Sequence, residues 1–133
     1  MTEIPSRISD FEFMLYKINC ISNLEYQERI WVRHEDLNII DSYDDTTMNF
    51  EEDAYAILEA RKAGRVEMTD TQYDMLKKLY EMVEDYDMSQ DRPDEDKEII
   101  NDPRWHKIRQ YAKGAYDELT RKADPMSNGR ISI

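Results

Sequence analysis

The chain has 133 residues and a net charge of −12, with thirty Asp and Glu against eighteen Lys and Arg. Its length fits one domain. One cysteine excludes an intramolecular disulfide or a cysteine-rich zinc site, and no apolar run approaches the ~20 residues of a membrane span.

Taken in chain order, the first signal is Ser9-Asp10-Phe11-Glu12. This is a capping box, in which a hydroxyl and a Glu side chain satisfy two helix-start amides, and Ile8 and Phe13 are spaced as its hydrophobic staple. Phe11, Met14, Leu15 and Ile18 then repeat at the i, i+3, i+4, i+7 spacing of a helix with one buried face. A second box, Ser22-Asn23-Leu24-Glu25 with Ile21 and Tyr26 as staple, starts a helix through residues 24–34, although residues 29–33 also suit extended chain. Phe50, Ala54, Ile57, Leu58 and Arg61 predict a helix over residues 49–63, which Gly64 ends in a left-handed conformation.

A third box, Thr69-Asp70-Thr71-Gln72 with Met68 and Tyr73, opens a helix to about residue 87. Its two adjacent apolar stripes predict the central helix of the fold. Residues 91–101 suit a short helix. Asp102-Pro103 is a cap followed by proline at the first helical position, and Trp105, Ile108, Ala112, Ala115 and Leu119 continue that helix. Gly114 inside it suggests close approach of a neighbour. The expected architecture is an all-α, single-domain bundle of about five helices with acidic connecting loops over residues 1–123, followed by a flexible tail at 124–133.

Charge is unevenly placed. Residues 1–102 carry 27 acids and 11 bases, whereas residues 103–133 carry three acids and seven bases. Eight acids and no Lys or Arg fall in residues 35–53, and eight more acids fall in residues 84–98. Clustered charge of one sign steers an oppositely charged partner and repels phosphates, while an aromatic among carboxylates supplies a desolvated anchor. The candidate partner-binding residues are therefore Asp41, Tyr43, Asp44, Asp45, Glu51, Glu52, Asp53, Glu84, Asp85 and Asp87. Tyr43 is the expected anchor, because Tyr86 also fits the stripe of its helix. The basic last helix reads as an exposed face balancing the acidic remainder, not as a nucleic-acid surface.

Reaction chemistry finds little footing. Aligned as an EF-hand from Asp41, the chain places Tyr43 and Thr46 where an acid and glycine are needed. His34 and His106 are far apart, no phosphate-binding glycine loop exists, and Cys20 with His34 has no orienting group. The expectation is a protein that is not an enzyme and uses no metal or cofactor. The opening residues lack the basic and apolar regions of a signal peptide, so a cytoplasmic location is expected.

Glu25-Tyr26-Gln27-Glu28-Arg29-Ile30-Trp31, Tyr43-Asp44-Asp45 leading to Phe50 and Asp53, Thr69-x-x-Gln72-x-x-x-Leu76, and Ile99-Ile100-x-Asp102-Pro103-x-Trp105-x-x-Ile108-x-x-x-Ala112 together resemble a group of small acidic bacterial proteins. These are the immunity proteins of polymorphic and contact-dependent growth-inhibition toxin systems. The resemblance spans residues 9–122 and implies stoichiometric inhibition of a cognate toxin domain, a basic protein of nuclease type. Two other classes remain open: a DNA mimic that inhibits a nucleic-acid enzyme, and a helical adaptor with a peptide groove.

Overall fold

The computed structural model describes residues 6–121, with side chains from residue 11 onward. Six helices and no strand occur among these residues: α1 (Ser6–Ser22), α2 (Leu24–Tyr26), α3 (Tyr43–Lys62), α4 (Asp70–Asp87), α5 (Asp96–Ile99) and α6 (Pro103–Thr120). A π-helical stretch, Gln27–Val32, continues α2 directly. The fold is thus all-α. The expected tail at 124–133 lies outside the described residues.

Four long helices form a ring. α1 packs between α3 and α6, and α4 packs between the same two helices from the opposite side. The expectation of a central α4 is therefore corrected. Leu76, Leu79 and Val83 face the interior fully buried, but Tyr73, Met75, Tyr80 and Met82 are only partly buried. Each of the two stripes thus contributes both interior and flank residues, because long and aromatic side chains can lie along a boundary with one edge in water.

The caps decide where the helices begin and end. Thr69 forms the complete box expected of it: its hydroxyl accepts from Gln72 N at 3.0 Å, and Gln72 Oε1 accepts from Thr69 N at 2.9 Å. Asp102 accepts from Arg104 N, with Pro103 in the first turn. After α3, Gly64 adopts φ +78°. Its amide donates to Arg61 O while Arg65 N donates to Ala60 O, closing the helix with two reverse bonds.

Two boxes differ from expectation. Ser9 stands inside α1, which is already helical at Ser6, and Phe13 is exposed, so that serine is no first-turn cap. At the next junction Asn23, not Ser22, caps α2, accepting from Tyr26 N at 3.0 Å. Ser22 is committed elsewhere, since its hydroxyl donates to Asn19 O at the end of α1.

The π-helical stretch resolves the ambiguity of residues 29–33. Its widened turn, marked by the bond from Arg33 N to Glu28 O, directs Gln27, Ile30 and Trp31 inward together. Gln27 is fully buried and works as a bracket. Its Nε2 donates to Cys20 O and Ile21 O at the end of α1, both at 2.8 Å. Its Oε1 accepts from Trp105 Nε1 at 3.1 Å and from Arg109 Nη1 at 3.2 Å on α6. One amide thereby fixes α1 to α6.

Gly114 has no close neighbour. A Cβ there would meet only Met75 Cε, at the ordinary contact distance of 3.8 Å, so close packing does not explain the glycine. Gly114→Ala is expected to stabilise the fold by about 0.5–1 kcal/mol, read as a higher denaturant midpoint at unchanged slope. Conversely, Gln27→Leu strands the Trp105 indole N–H and the Ile21 carbonyl and takes one acceptor from the buried Arg109 guanidinium. A loss of roughly 3–5 kcal/mol is expected by the same measurement.

Candidate functional site

At one end of the ring the indoles and phenols of Trp31, Tyr43, Tyr86 and Trp105 form a single block. Ring centroids lie 5.2 Å apart for Tyr43 and Trp105, 5.6 Å for Tyr86 and Trp105, and 6.1 Å for both Trp31 pairs with Tyr43 and Trp105. Each ring carries a polar atom that burial would strand. Three of these atoms find a carboxylate: Trp31 Nε1 donates to Asp41 Oδ2 at 3.3 Å, Tyr43 Oη to Asp87 Oδ1 at 3.1 Å, and Tyr86 Oη to Asp102 Oδ2 at 2.8 Å. Trp105 uses Gln27. The Arg92 and Arg104 guanidinium groups lie over the Tyr43 and Tyr86 rings at 5.0 and 5.1 Å and contact the same acids, Arg92 at 3.7 Å from Asp87 and Arg104 at 3.1 Å from Asp102.

This block overturns part of the expected binding set. Tyr43 is fully buried, so it is a core ring and not an exposed anchor. Ser42 caps α3, which places Tyr43, Thr46, Thr47, Phe50, Ala54 and Ile57 along one inward stripe. Asp41 is also buried, at 8% exposure, and accepts from the Tyr26 and Thr46 hydroxyls at 2.6 and 2.7 Å as well as from Trp31. Both residues leave the proposed contact surface. Burial and the bond to Asp41 drive the Tyr26 phenol above its usual range, and burial with the nearby Asp87 charge does the same for Tyr43.

The remaining acids are placed by helices rather than loops. Residues 44–53 lie on α3, and Glu84, Asp85 and Asp87 lie on the last turn of α4. Asp44, Asp45, Glu52 and Asp85 are exposed, while Glu51, Asp53, Glu84 and Asp87 are partly buried. The two acidic segments meet where α3 packs on α4. Burial, then the charges of Asp87 and Glu84, push the Glu51 carboxyl up to about 7, and its Oε2 is buried without a hydrogen bond. Burial raises Asp96 as well, with Asp44 and Asp41 adding repulsion against the bond that Asp96 receives from the Tyr43 amide. Acids from widely separated sequence segments thus feel one another directly.

Bases divide the acids into two populations. Asp87, Asp91 and Asp102 pair with Arg92 or Arg104, and Glu35 pairs with Arg29 at 3.0 Å and with Arg33 at 2.6 Å. Among the described residues, no Lys or Arg pairs with Asp44, Asp45, Glu51, Glu52, Glu84 or Asp85. The helix α6 bases are partly consumed internally: Arg104 pairs with Asp91 and Asp102, and Arg109 is buried against Gln27 and Ile100 O.

Asp45 and Glu52 stand on a regular helix, not on a calcium loop. No group of three or more His, Cys, Asp and Glu able to hold a metal ion occurs among the described residues. Burial pushes the Cys20 thiol up to about 11, which keeps it protonated near neutral pH. No described helix is long and apolar enough to cross a membrane.

Sequence reasoning missed the apolar surface next to the acids. Leu37 is 88% exposed and Ile40 is 90% exposed, on the loop that leads into α3. Their lack of helical periodicity left them without a predicted place, and three aliphatics between Asp36 and Asp41, Leu37, Ile39 and Ile40, were the available signal. Comparison with protein-family models, with curated proteins and with solved structures finds no significant match to this chain.

The strain at Glu51 has a measurable sign. A carboxyl whose pKa rises on folding favours the folded state at pH below its unfolded value near 4.5, and that contribution is lost as pH rises through about 7. Glu51→Gln removes the disfavoured charge. With a discount for partial exposure, it is expected to raise stability by about 1–2 kcal/mol at pH 8. The gain disappears by about pH 4, where the carboxyl is protonated in the folded and unfolded states alike. Urea midpoints at the two pH values check this.

Proposed function

We propose that the protein is an acidic inhibitor that neutralises a basic protein partner by stoichiometric binding, as an immunity protein does for its cognate toxin domain. The observation that carries this reading is the division of the acids. Those of the 35–53 and 84–98 segments that serve the fold are matched to aromatic hydroxyls, amides or guanidinium groups. Asp44, Asp45, Glu51, Glu52, Glu84 and Asp85 pair with no Lys or Arg among the described residues, although Glu51 lies close enough to Glu84 to be repelled by it. A surface of this kind opposes its own compact arrangement and gains when a partner brings Lys and Arg to it.

A nuclease-type toxin fits by chemistry, since an enzyme that holds phosphates presents a positive surface. Leu37 and Ile40 supply the apolar contact that charge alone lacks, taking the part expected of Tyr43. Affinity in such a pair comes from the desolvated anchors, and association rate comes from the acids.

The test begins with capture of the partner from the source cell and co-expression with any toxic product of the adjacent gene, which the protein is expected to neutralise at one-to-one stoichiometry. With that partner, Asp44→Lys combined with Glu52→Lys is expected to slow association about tenfold at low salt and to flatten its salt dependence. Unchanged association rates would remove α3 from the interface. Competition with DNA for several unrelated nucleic-acid enzymes would instead support a DNA mimic.

A further inference from the structure

Where the junction of α1 and α2 meets α6 lies a recess of about 500 Å³, within the ~300–1,000 Å³ of small-molecule sites. Four residues of α6 line it at the i, i+3, i+4, i+7 spacing of one helix face: His106, Arg109, Gln110 and Lys113. Ser22 and Leu24 complete the lining, with Leu24 39% exposed. No Asp or Glu is among the described lining residues, in a chain that carries thirty. The recess is cationic in a protein of net charge −12.

Arg109 distinguishes this recess from a patch of surface bases. It is only 7% exposed, and it pairs with no Asp or Glu among the described residues. Three of its five N–H groups are spent on neutral acceptors. Nη1 donates to Gln27 Oε1 and to Ile100 O, and Nη2 donates to His106 Nδ1 at 3.1 Å. The Nε–H and the second N–H of Nη2 have no partner among the described residues. Because Nη2 is bonded to a residue that itself lines the recess, this side of the guanidinium borders the recess. A guanidinium only donates, so His106 Nδ1 is the acceptor and the neutral ring carries its proton on Nε2, as a further donor.

A cation held away from water without a counter-ion is costly. Burial pushes the Arg109 guanidinium below its usual range, and the Glu28 charge opposes that shift without contacting the group. Lys113, one turn further along α6, adds a second positive charge with no acid beside it among the described residues. Like charges four residues apart on a helix repel. An anion seated between the two removes both penalties. Their combined charge matches the roughly −1.5 to −2 of a phosphate monoester near neutral pH, whereas a carboxylate leaves one of them unmatched.

We propose that this recess binds a small phosphate monoester, gripped by the free N–H groups of Arg109 and by Lys113, with His106 and Gln110 as further donors and Leu24 against its organic part. The site lies on α6 and is independent of the acidic surface of α3 and α4, so either can fail without the other.

The intact protein, observed by two-dimensional NMR, is titrated at constant ionic strength with inorganic phosphate, glycerol 3-phosphate and acetate. Saturable shifts are expected at the Arg109 Nε–H and at the amides of Leu24, Gln110 and Lys113 with both phosphates and not with acetate, and glycerol 3-phosphate is expected to shift Leu24 the more. Lys113→Gln, at an exposed position where folding is not at stake, is expected to weaken binding about fivefold or more, while Lys107→Gln on the same helix leaves it unchanged. Arg109→Lys keeps the charge but loses the planar donor pair and is expected to weaken binding about tenfold. Glu28→Gln removes the opposing acid and is expected to tighten binding about twofold, a gain that damage to the fold does not produce. If Arg109→Lys proves unfolded, the Lys113→Gln and Glu28→Gln results decide. Equal losses for Lys107→Gln and Lys113→Gln, non-saturating shifts, or an equal response to acetate would overturn the site. A short single-stranded oligonucleotide that binds more tightly than glycerol 3-phosphate would overturn it as a small-molecule site.

Discussion

Four aromatic rings gathered at one end of the bundle impose a requirement that reaches through the rest of the molecule: each brings a polar atom into a place without water. Trp31, Tyr43, Tyr86 and Trp105 must each find an acceptor, and the chain supplies Asp41, Asp87, Asp102 and Gln27. Those four acceptors come from the loop before α3, the end of α4, the cap of α6 and the π-helical stretch. Satisfying the rings therefore fixes the junctions of the fold. The same requirement explains why a protein so rich in acids tolerates several of them indoors. A carboxylate that accepts two or three hydrogen bonds from hydroxyl or indole donors loses less on burial than one left dry.

Charge is consequently sorted by geometry and not by sequence position. Arg92 and Arg104 each serve twice, over a ring and beside a carboxylate, and they use up the basic side chains nearest the aromatic end. Asp44, Asp45, Glu52 and Asp85 are left facing the solvent, and Glu51 is left beside Glu84. Glu51 shows the strain that results, since its carboxyl is held near neutrality by burial and by Asp87 and Glu84. Stability conceded at such a position is characteristic of surfaces whose purpose lies in meeting something else.

How much of this was legible beforehand varied with the locality of the signal. Thr69 with Gln72, Asp102 with Pro103, and Gly64 act within one turn of their own position, and each behaves as its residue type requires. Ser22 and Asn23 both favour a cap; the choice between them was settled by whether Asn19 O was within reach of the serine hydroxyl, which depends on the shape of the preceding helix. The start of α3 was readable in principle from Ser42 with Asp45 three residues on and from the Tyr43, Thr46, Phe50 spacing. A dense run of acids masked it, because Asp is common both in first turns and in loops. The part played by Tyr43 was beyond local reading, since only the docking of α3 against Trp105 and Asp87 converts an acid-flanked tyrosine into a core ring. The acidic side of the candidate site was visible as composition. Its apolar neighbours Leu37 and Ile40 carried no period to mark them.

The aromatic end has an optical consequence. Trp31 and Trp105 are the only two tryptophans in the chain, and their rings are 6.1 Å apart within one block. The tryptophan bands of the near-ultraviolet circular dichroism and tryptophan emission therefore sample that block alone, whereas far-ultraviolet ellipticity averages all the helices. Any separation between the two signals during unfolding measures how independently the aromatic end lets go of the opposite end of the bundle, where α3 closes at Gly64 and α4 opens at Thr69. The molecule thus carries its own two-colour gauge of cooperativity, with no label added.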